Sequence, residues 1–278
     1  MSDSHVSQGG DAALADGGTV DTGASEAGVR VSRDGPITTV TLANPGNRNA
    51  QTPAIWRALA AVGSSLDPQV RVVVLKAEGQ SFSAGLDRRM FVSGIEGEPS
   101  LADMAAFSDE QFDAKIAEYQ RAFNWWRSSD AITIAAVQGH AVGAGFQLAL
   151  AADIMVVADD VQLSMKETQL GLVPDLAGTH PLVMAVGYSR ALEICASGRW
   201  VGADEAVALG IAVAATSLPD LDARVQQLIG SFLSAPAGAV TATKHLLRGA
   251  ANRSHSEQQA AERAAQRGRI ADIARAMS

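Results

Sequence analysis

Apolar and polar positions alternate in two short runs, VRVSR from Val29 and ITTVTLAN from Ile37, with Asp34-Gly35-Pro36 between them. A period of two on either side of a turn tripeptide predicts a β-hairpin. The period then changes. Thr52-Pro53 reads as an N-cap with proline at the first helical position, and Ile55, Leu59, Val62 and Leu66 recur at helical spacing. Three mostly apolar runs follow at 71–76 (RVVVLK), 132–137 and 154–158. Such runs predict strands buried on both faces, as in a parallel sheet. A shorter run at 161–165 predicts one more. Between the first two runs, Phe112, Ile116, Tyr119 and Phe123 mark one face of a helix over 109–127, and Trp125-Trp126 reads as packing. Residues 88–100 carry no period, are Gly-rich and are expected to be mobile. Past residue 165, helical patterns fill about 179–186, 188–197, 203–209, 221–233, 238–248 and 256–275. Strands alternating with helices to about residue 165, then mostly helix, predict an α/β layer followed by a helical region.

Composition narrows the classes. With 278 residues and 47% hydrophobic content, the chain can bury a large core. A formal net charge of −8 argues against nucleic acid or an anionic membrane surface as partner. Residues 1–27 hold Asp3, Asp11, Asp16, Asp21 and Glu26, with no Lys or Arg, and are expected to form a disordered acidic tail. Cys195 is the single cysteine, which excludes a disulfide framework and a cysteine-built metal site. No basic-then-apolar opening is visible. Gln138, His140, Gln147 and several glycines interrupt the one low-charge run long enough to raise a membrane question. A cytoplasmic protein is expected.

The candidate chemistry centres on 131–153, AITIAAVQGHAVGAGFQLALAAD. A strand there turns through Gln138-Gly139 and Gly143-Ala144-Gly145 into a helix. The first N–H groups of a helix have no intrahelical partner and favour negative charge, either a phosphate or a developing oxyanion. Close packing of small residues is the alternative reading. No Lys follows the glycines, so the pattern is not a P-loop. Ser81-Phe82-Ser83-Ala84-Gly85-Leu86-Asp87 is a second segment of small residues after a strand. One N–H from each turn, Ala84-Gly85 and Ala144-Gly145, would form an oxyanion hole, worth roughly 3–4 kcal/mol per donor. Neither G-x-S-x-G, H-E-x-x-H nor G-x-G-x-x-G after a strand occurs, and no histidine has a triad-like context. Glu167 and Asp175, in the polar loop after the next strands, remain as acid/base candidates. A carboxylate beside an oxyanion hole suits proton abstraction next to a carbonyl.

The pairing of S-F-S-A-G-L-D at 81–87 with Q-G-H-A-V-G-A-G-F-Q-L at 138–148 resembles the crotonase (enoyl-CoA hydratase/isomerase) superfamily. The later segments A-D-I at 152–154, L-G-L-V-P-D-L-A-G-T at 170–179 and T-K at 243–244 are similar too. The resemblance implies an α/β spiral of ββα units over 28–215 and a C-terminal helical region over 216–278 that packs trimers, often paired into hexamers. It implies a CoA thioester with its carbonyl oxygen between the N–H groups of Ala84 and Ala144, and no cofactor or metal beyond the substrate's own CoA. By the same match Arg48, Asn49, Ala50, Ala84, Gly85, Leu86 and Asp87 line the CoA path. Gly143 and Gln147 face the acyl group, and Lys244 meets a phosphate. Arg88 and Arg89 add local positive charge. Hydratases of this kind carry Glu at the positions of both Gln147 and Glu167, whereas here the first is an amide, which cannot exchange a proton. Isomerases keep the carboxylate at Glu167, and some have Asp where Asp175 stands. The resemblance therefore favours double-bond isomerisation over hydration. A non-catalytic acyl-CoA-binding role is a third possibility. On their own, Asp175 could instead cap the next helix and Glu167 could pair with Lys166 or a nearby Arg, while His140 reads as a packing residue.

Overall fold

The computed structural model describes residues 27–278, so the expected acidic tail, apart from Ala27, lies outside it. The predicted hairpin forms. Strands β1 (Val29–Asp34) and β2 (Ile37–Leu42) pair antiparallel. In α1 (Pro53–Ser64) the Thr52 hydroxyl caps the first turn by accepting from the Ile55 N–H at 3.4 Å. After β3 (Val72–Ala77), two single-turn helices, α2 (Arg89–Val92) and α3 (Leu101–Met104), occupy the stretch around 88–100. That stretch, expected to be irregular, is tied to α1 by an ion pair between Glu98 and Arg57. Helix α4 (Asp109–Ser128) starts at a Ser108/Gln111 capping box. It is followed by β4 (Ile132–Val137), β5 (His140–Val142), α5 (Ala144–Ala151), β6 (Ile154–Ala158) and β7 (Gln162–Ser164). The remainder comprises α6 (Thr179–Val186), α7 (Tyr188–Ser197), β8 (Val201–Gly202), α8 (Ala203–Ala208), β9 (Ala214–Thr216), α9 (Leu221–Ser234), α10 (Ala237–Ala250) and α11 (His255–Met277).

The strands form a six-stranded sheet, β1-β2-β3-β4-β6-β9, parallel except at β1, and a small sheet, β5-β7-β8. After β4 and β6 the chain leaves the large sheet, contributes a short strand to the small one and then goes on into helix. The units β4-β5-α5 and β6-β7-α6 show this ββα repeat. The segment after β3 adds a third copy, because Ser83 bridges in parallel to Ala141 of β5. This is the expected α/β spiral.

Alternation along the buried strands divides the core in two. Leu42, Leu75, Ala135 and Val157 face α1, α4 and α5. Val72, Val74, Ile134 and Val156 face the other way, onto Leu221, Val225 and Ile229 of α9. Helix α9 therefore packs on the large sheet, and α10 meets the body through Lys244, His245 and Arg248. Helix α11 buries none of its residues and exposes Ile270, Ile273 and Met277.

Helix α10 is held down by Lys244, which is 6% exposed. Its ammonium donates to the Ala131 carbonyl at 2.6 Å and to Asp153 Oδ2 at 2.7 Å. The phosphate contact expected of Lys244 is thus replaced by a structural one: a cation already paired and enclosed by β4 and the start of β6 is not offered to a ligand of this chain. Among the described residues, no helix is long and apolar enough to cross a membrane.

Candidate active site

A cavity of about 1040 Å³ opens between the small-residue turns, α4 and the loop 166–176. Most of its lining is apolar, including Trp56, Met90, Phe91, Met104, Phe112, Ile116, Leu172 and Val173. Glu167, Asp175 and Gln147 are set into one wall and Arg88 and Lys166 also contribute. A large apolar cavity with a few convergent polar groups fits a long apolar ligand oriented at one end.

The two turns predicted as a cradle are bonded to each other. Phe82 N donates to the Gln138 carbonyl, Ser83 N to His140 and Val142 N to Ser83, all at 2.9–3.0 Å. Gly85 adopts φ +86°, and a Cβ there would lie 2.5 Å from the Val142 carbonyl oxygen, so only glycine permits this approach. Gln51, 0% exposed, locks the arrangement from below. Its side-chain amide donates to Ser83 Oγ at 3.3 Å and to the Ala144 carbonyl at 3.4 Å, and its oxygen accepts from Trp56 Nε1 at 2.7 Å. Sequence reasoning missed Gln51, because a polar residue in a loop before an N-cap carries no periodic signal.

The donors within this cradle differ from those expected. The Ala84 N–H points away from the cavity and donates to the Arg48 carbonyl at 2.9 Å. Gly85 N donates to Ser83 Oγ at 3.2 Å and Asp87 N to the Gln51 carbonyl at 2.8 Å. That leaves Leu86 as the residue of this turn whose N–H meets no acceptor among the described residues. Ala144 N, first in α5, likewise has none, as the geometry of a helix start requires. The N–H groups that these two turns leave without an acceptor are therefore those of Leu86 and Ala144, and the Ala84 N–H expected at the cradle is taken by the Arg48 carbonyl instead.

Asn49 is also structural: it is 1% exposed, its amide donates to the Glu78 and Ser81 carbonyls, and its oxygen accepts from Asn44 N. Asp87 is held by Arg89 and Asn47, and the Arg89 guanidinium keeps its carboxyl below the usual carboxylate range. Ala50 is buried, whereas the Arg48 side chain is exposed. His140 is exposed, its ring edge against Trp200, as a packing residue would be.

Glu167 begins a 3₁₀ turn and is 9% exposed. Its carboxylate lies against the start of α5: a Cβ on Gly143 would be 3.2 Å from Oε1, which accounts for glycine at that N-cap. Oε1 accepts from Gln147 Nε2 at 2.7 Å, whereas buried Oε2 has no partner among the described residues. Burial pushes the Glu167 carboxyl above its ordinary range, and the nearby Asp175 charge adds to the rise. Asp175 is raised by burial as well. It caps no helix, since α6 begins at Gly178 without a side-chain cap.

Gln147, 1% exposed, is fixed at both ends of its amide. Its oxygen accepts from Leu176 N at 2.9 Å and Gly178 N at 3.2 Å, so its NH₂ must face Glu167. The two backbone donors converge because Ala177 between them takes φ +64°, in the left-handed region that alanine rarely occupies. This clamp is absent from any sequence pattern.

The family model for enoyl-CoA hydratase/isomerase matches residues 32–275, nearly all of the described chain. The chain belongs to this family. Carnitinyl-CoA dehydratase of Escherichia coli K12 is 34% identical over 183 residues, and the match covers 66% of this chain and 65% of that protein. The chain thus spans just under two thirds of these curated relatives' length. A protein of Mycobacterium bovis named "Probable enoyl-CoA hydratase" is 31% identical over 84% of each chain. Among solved structures, a "putative enoyl-CoA hydratase" of Thermobifida fusca in complex with CoA superposes with a TM-score of 0.86 at 43% identity. It covers 94% of this chain and 100% of that one. A "putative enoyl-CoA hydratase" of the same organism has been solved in complex with acetoacetyl-CoA, and it superposes with a TM-score of 0.86 at 44% identity over 91% of this chain and 99% of that one.

Proposed function

We propose that this chain is an acyl-CoA double-bond isomerase. The thioester carbonyl accepts hydrogen bonds from Leu86 N and Ala144 N. Glu167 Oε2 removes a proton from the carbon beside that carbonyl, and the electron pair delocalises into the dienolate held by the cradle. The proton then returns at the far end of the conjugated system, from Glu167 or from Asp175. Atoms balance without water or any further reagent. The carrying observation is the clamped amide of Gln147. Its oxygen is occupied by two backbone donors and its nitrogen by Glu167, so it neither titrates nor accepts from a water. Glu167 and Asp175 are left as the titrating pair. Raised carboxyls are good bases near neutral pH, where Brønsted matching is best. The CoA moiety is proposed to run past Arg48, Ala50 and Leu86, with Arg88 at the rim. Exposed α11 suggests a homotrimer or homohexamer, and the setting is proposed to be cytoplasmic.

Hydration or dehydration is the second reading, favoured by the names of the relatives and by Asp175 as a possible second carboxylate for a water. NMR in D₂O with 3-enoyl-CoA and 2-enoyl-CoA separates the two. Migration of the double bond with deuterium uptake, lost in Glu167→Gln, is expected. Formation of 3-hydroxyacyl-CoA, with no migration, would move the chain to the hydratases.

A further inference from the structure

Residues 173–177, which carry Asp175, belong to no helix or strand and make no backbone–backbone hydrogen bond among the described residues. Nothing regular sets the course of this stretch, yet it forms one wall of the cavity through Val173, Asp175 and Leu176. Two side chains hold it. Gln120 of α4 lines the cavity, and its Nε2 donates to the Asp175 carbonyl at 2.7 Å. Gln147 of α5 accepts from the Leu176 N–H at 2.9 Å. The carbonyl of 175 and the N–H of 176 are the two polar ends of one planar peptide unit. That plane is therefore gripped at both ends, from two different helices, by two glutamine amides. Both amide orientations follow from the chemistry of their partners, since a backbone carbonyl only accepts and a backbone N–H only donates.

The grip bears on the carboxylate beside it. Asp175 lines the cavity, and no side chain among the described residues donates to its carboxylate. Its direction is thus inherited from its backbone, and fixing the peptide plane that follows removes one of the two soft dihedrals that set it. A hydrogen bond at the N–H end alone would let the carbonyl end swing. On the reading in which Asp175 exchanges a proton with the acyl group, we propose that Gln120 is a positioning residue, which ties the Asp175 peptide to α4 and so aims the carboxylate at the acyl group. Gln120 acts through Asp175 and not on the reacting atoms. Displacing a reacting group by about 1 Å can cost about 10²-fold in rate, which is the scale on which such a tether matters.

The test is a double-mutant cycle on turnover of 3-enoyl-CoA and 2-enoyl-CoA, with thermal melts to show that each variant is folded. Gln120→Met keeps the length of the side chain and loses the donor. Gln120→Asn stays polar and keeps the amide, but is one methylene too short to reach the carbonyl. Each is expected to lower kcat about tenfold or more. KM should stay within about threefold, a split that a general loosening of the cavity would not give. In an Asp175→Asn background, itself expected to lower kcat, neither should add a further loss. Unchanged kcat in a folded variant, or a loss by the same factor with and without Asp175, would overturn the inference while leaving Asp175 its role. If Asp175→Asn turned over at the full rate, the reading of Asp175 as a proton-transfer group would fall, and the inference with it.

Discussion

Gln147→Glu is the perturbation that asks most of the site. The introduced carboxylate has nearly the same shape as the amide, and the Leu176 and Gly178 N–H groups, at 2.9 and 3.2 Å, hold a carboxylate oxygen as readily. What changes is the other end. A donor–acceptor contact of 2.7 Å to Glu167 Oε1 becomes one between two acceptors. Two unit charges at that separation repel by about 6 kcal/mol at an effective dielectric of about 20. The pair must therefore share a proton, and it titrates as a unit rather than as two independent carboxyls. One member is then an acid and the other a base at neutral pH, the pairing that addition of water requires. Hydration of crotonyl-CoA, followed as loss of the conjugated thioester absorbance, is expected to rise about 10²–10⁴-fold over wild type. Isomerisation should fall, because Glu167 is less often ionised. If the substitution left hydration unchanged, or if wild type already hydrated crotonyl-CoA as fast as the variant, the argument that the amide disfavours water addition would be refuted.

Two further outcomes follow from the buried charges. Glu167 has its carboxyl raised in the folded state, so ionising it costs stability as pH climbs from the ordinary carboxylate value, about 4.3, through the raised one. In thermal melts, Glu167→Gln should match wild type below that range and exceed it at neutral pH; equal melts at both would refute the burial penalty. Lys244→Met leaves Asp153 with the Thr133 N–H at 2.8 Å and hydroxyl at 3.0 Å but without its cation. A loss of about 3 kcal/mol is expected in denaturant unfolding, with CoA affinity unchanged; weakened CoA binding at equal stability would restore the phosphate role.

The regular elements were legible because burial imposes a period. The α4 face of Phe112, Ile116, Tyr119 and Phe123 and the apolar runs of β3, β4 and β6 stand where the pattern put them. Strands β5, β8 and β9 have two or three residues each, too few to show a period. At the site, residue types were legible and directions were not. The segment holding Ala84 and Leu86 was recognisable, but which N–H stays free depends on where the Arg48 and Gln51 carbonyls fall, and those positions are set by tertiary packing. The same holds for Lys244, whose partners lie more than ninety residues away in sequence. Gln147 was identified as an amide in place of an acid, but the direction its amide faces depends on the turn at Ala177.

That turn has a consequence for when the site incurs its costs. A left-handed alanine is strained by roughly 1–2 kcal/mol, and a glycine would relieve this while letting the turn wander. Alanine at 177 charges the strain to folding, which happens once in the life of a molecule. In return, the amide of Gln147 and the reactive oxygen of Glu167 do not have to be re-aimed at each of the many turnovers that follow. The molecule gives up a little of its margin against unfolding and keeps a fixed geometry in every cycle.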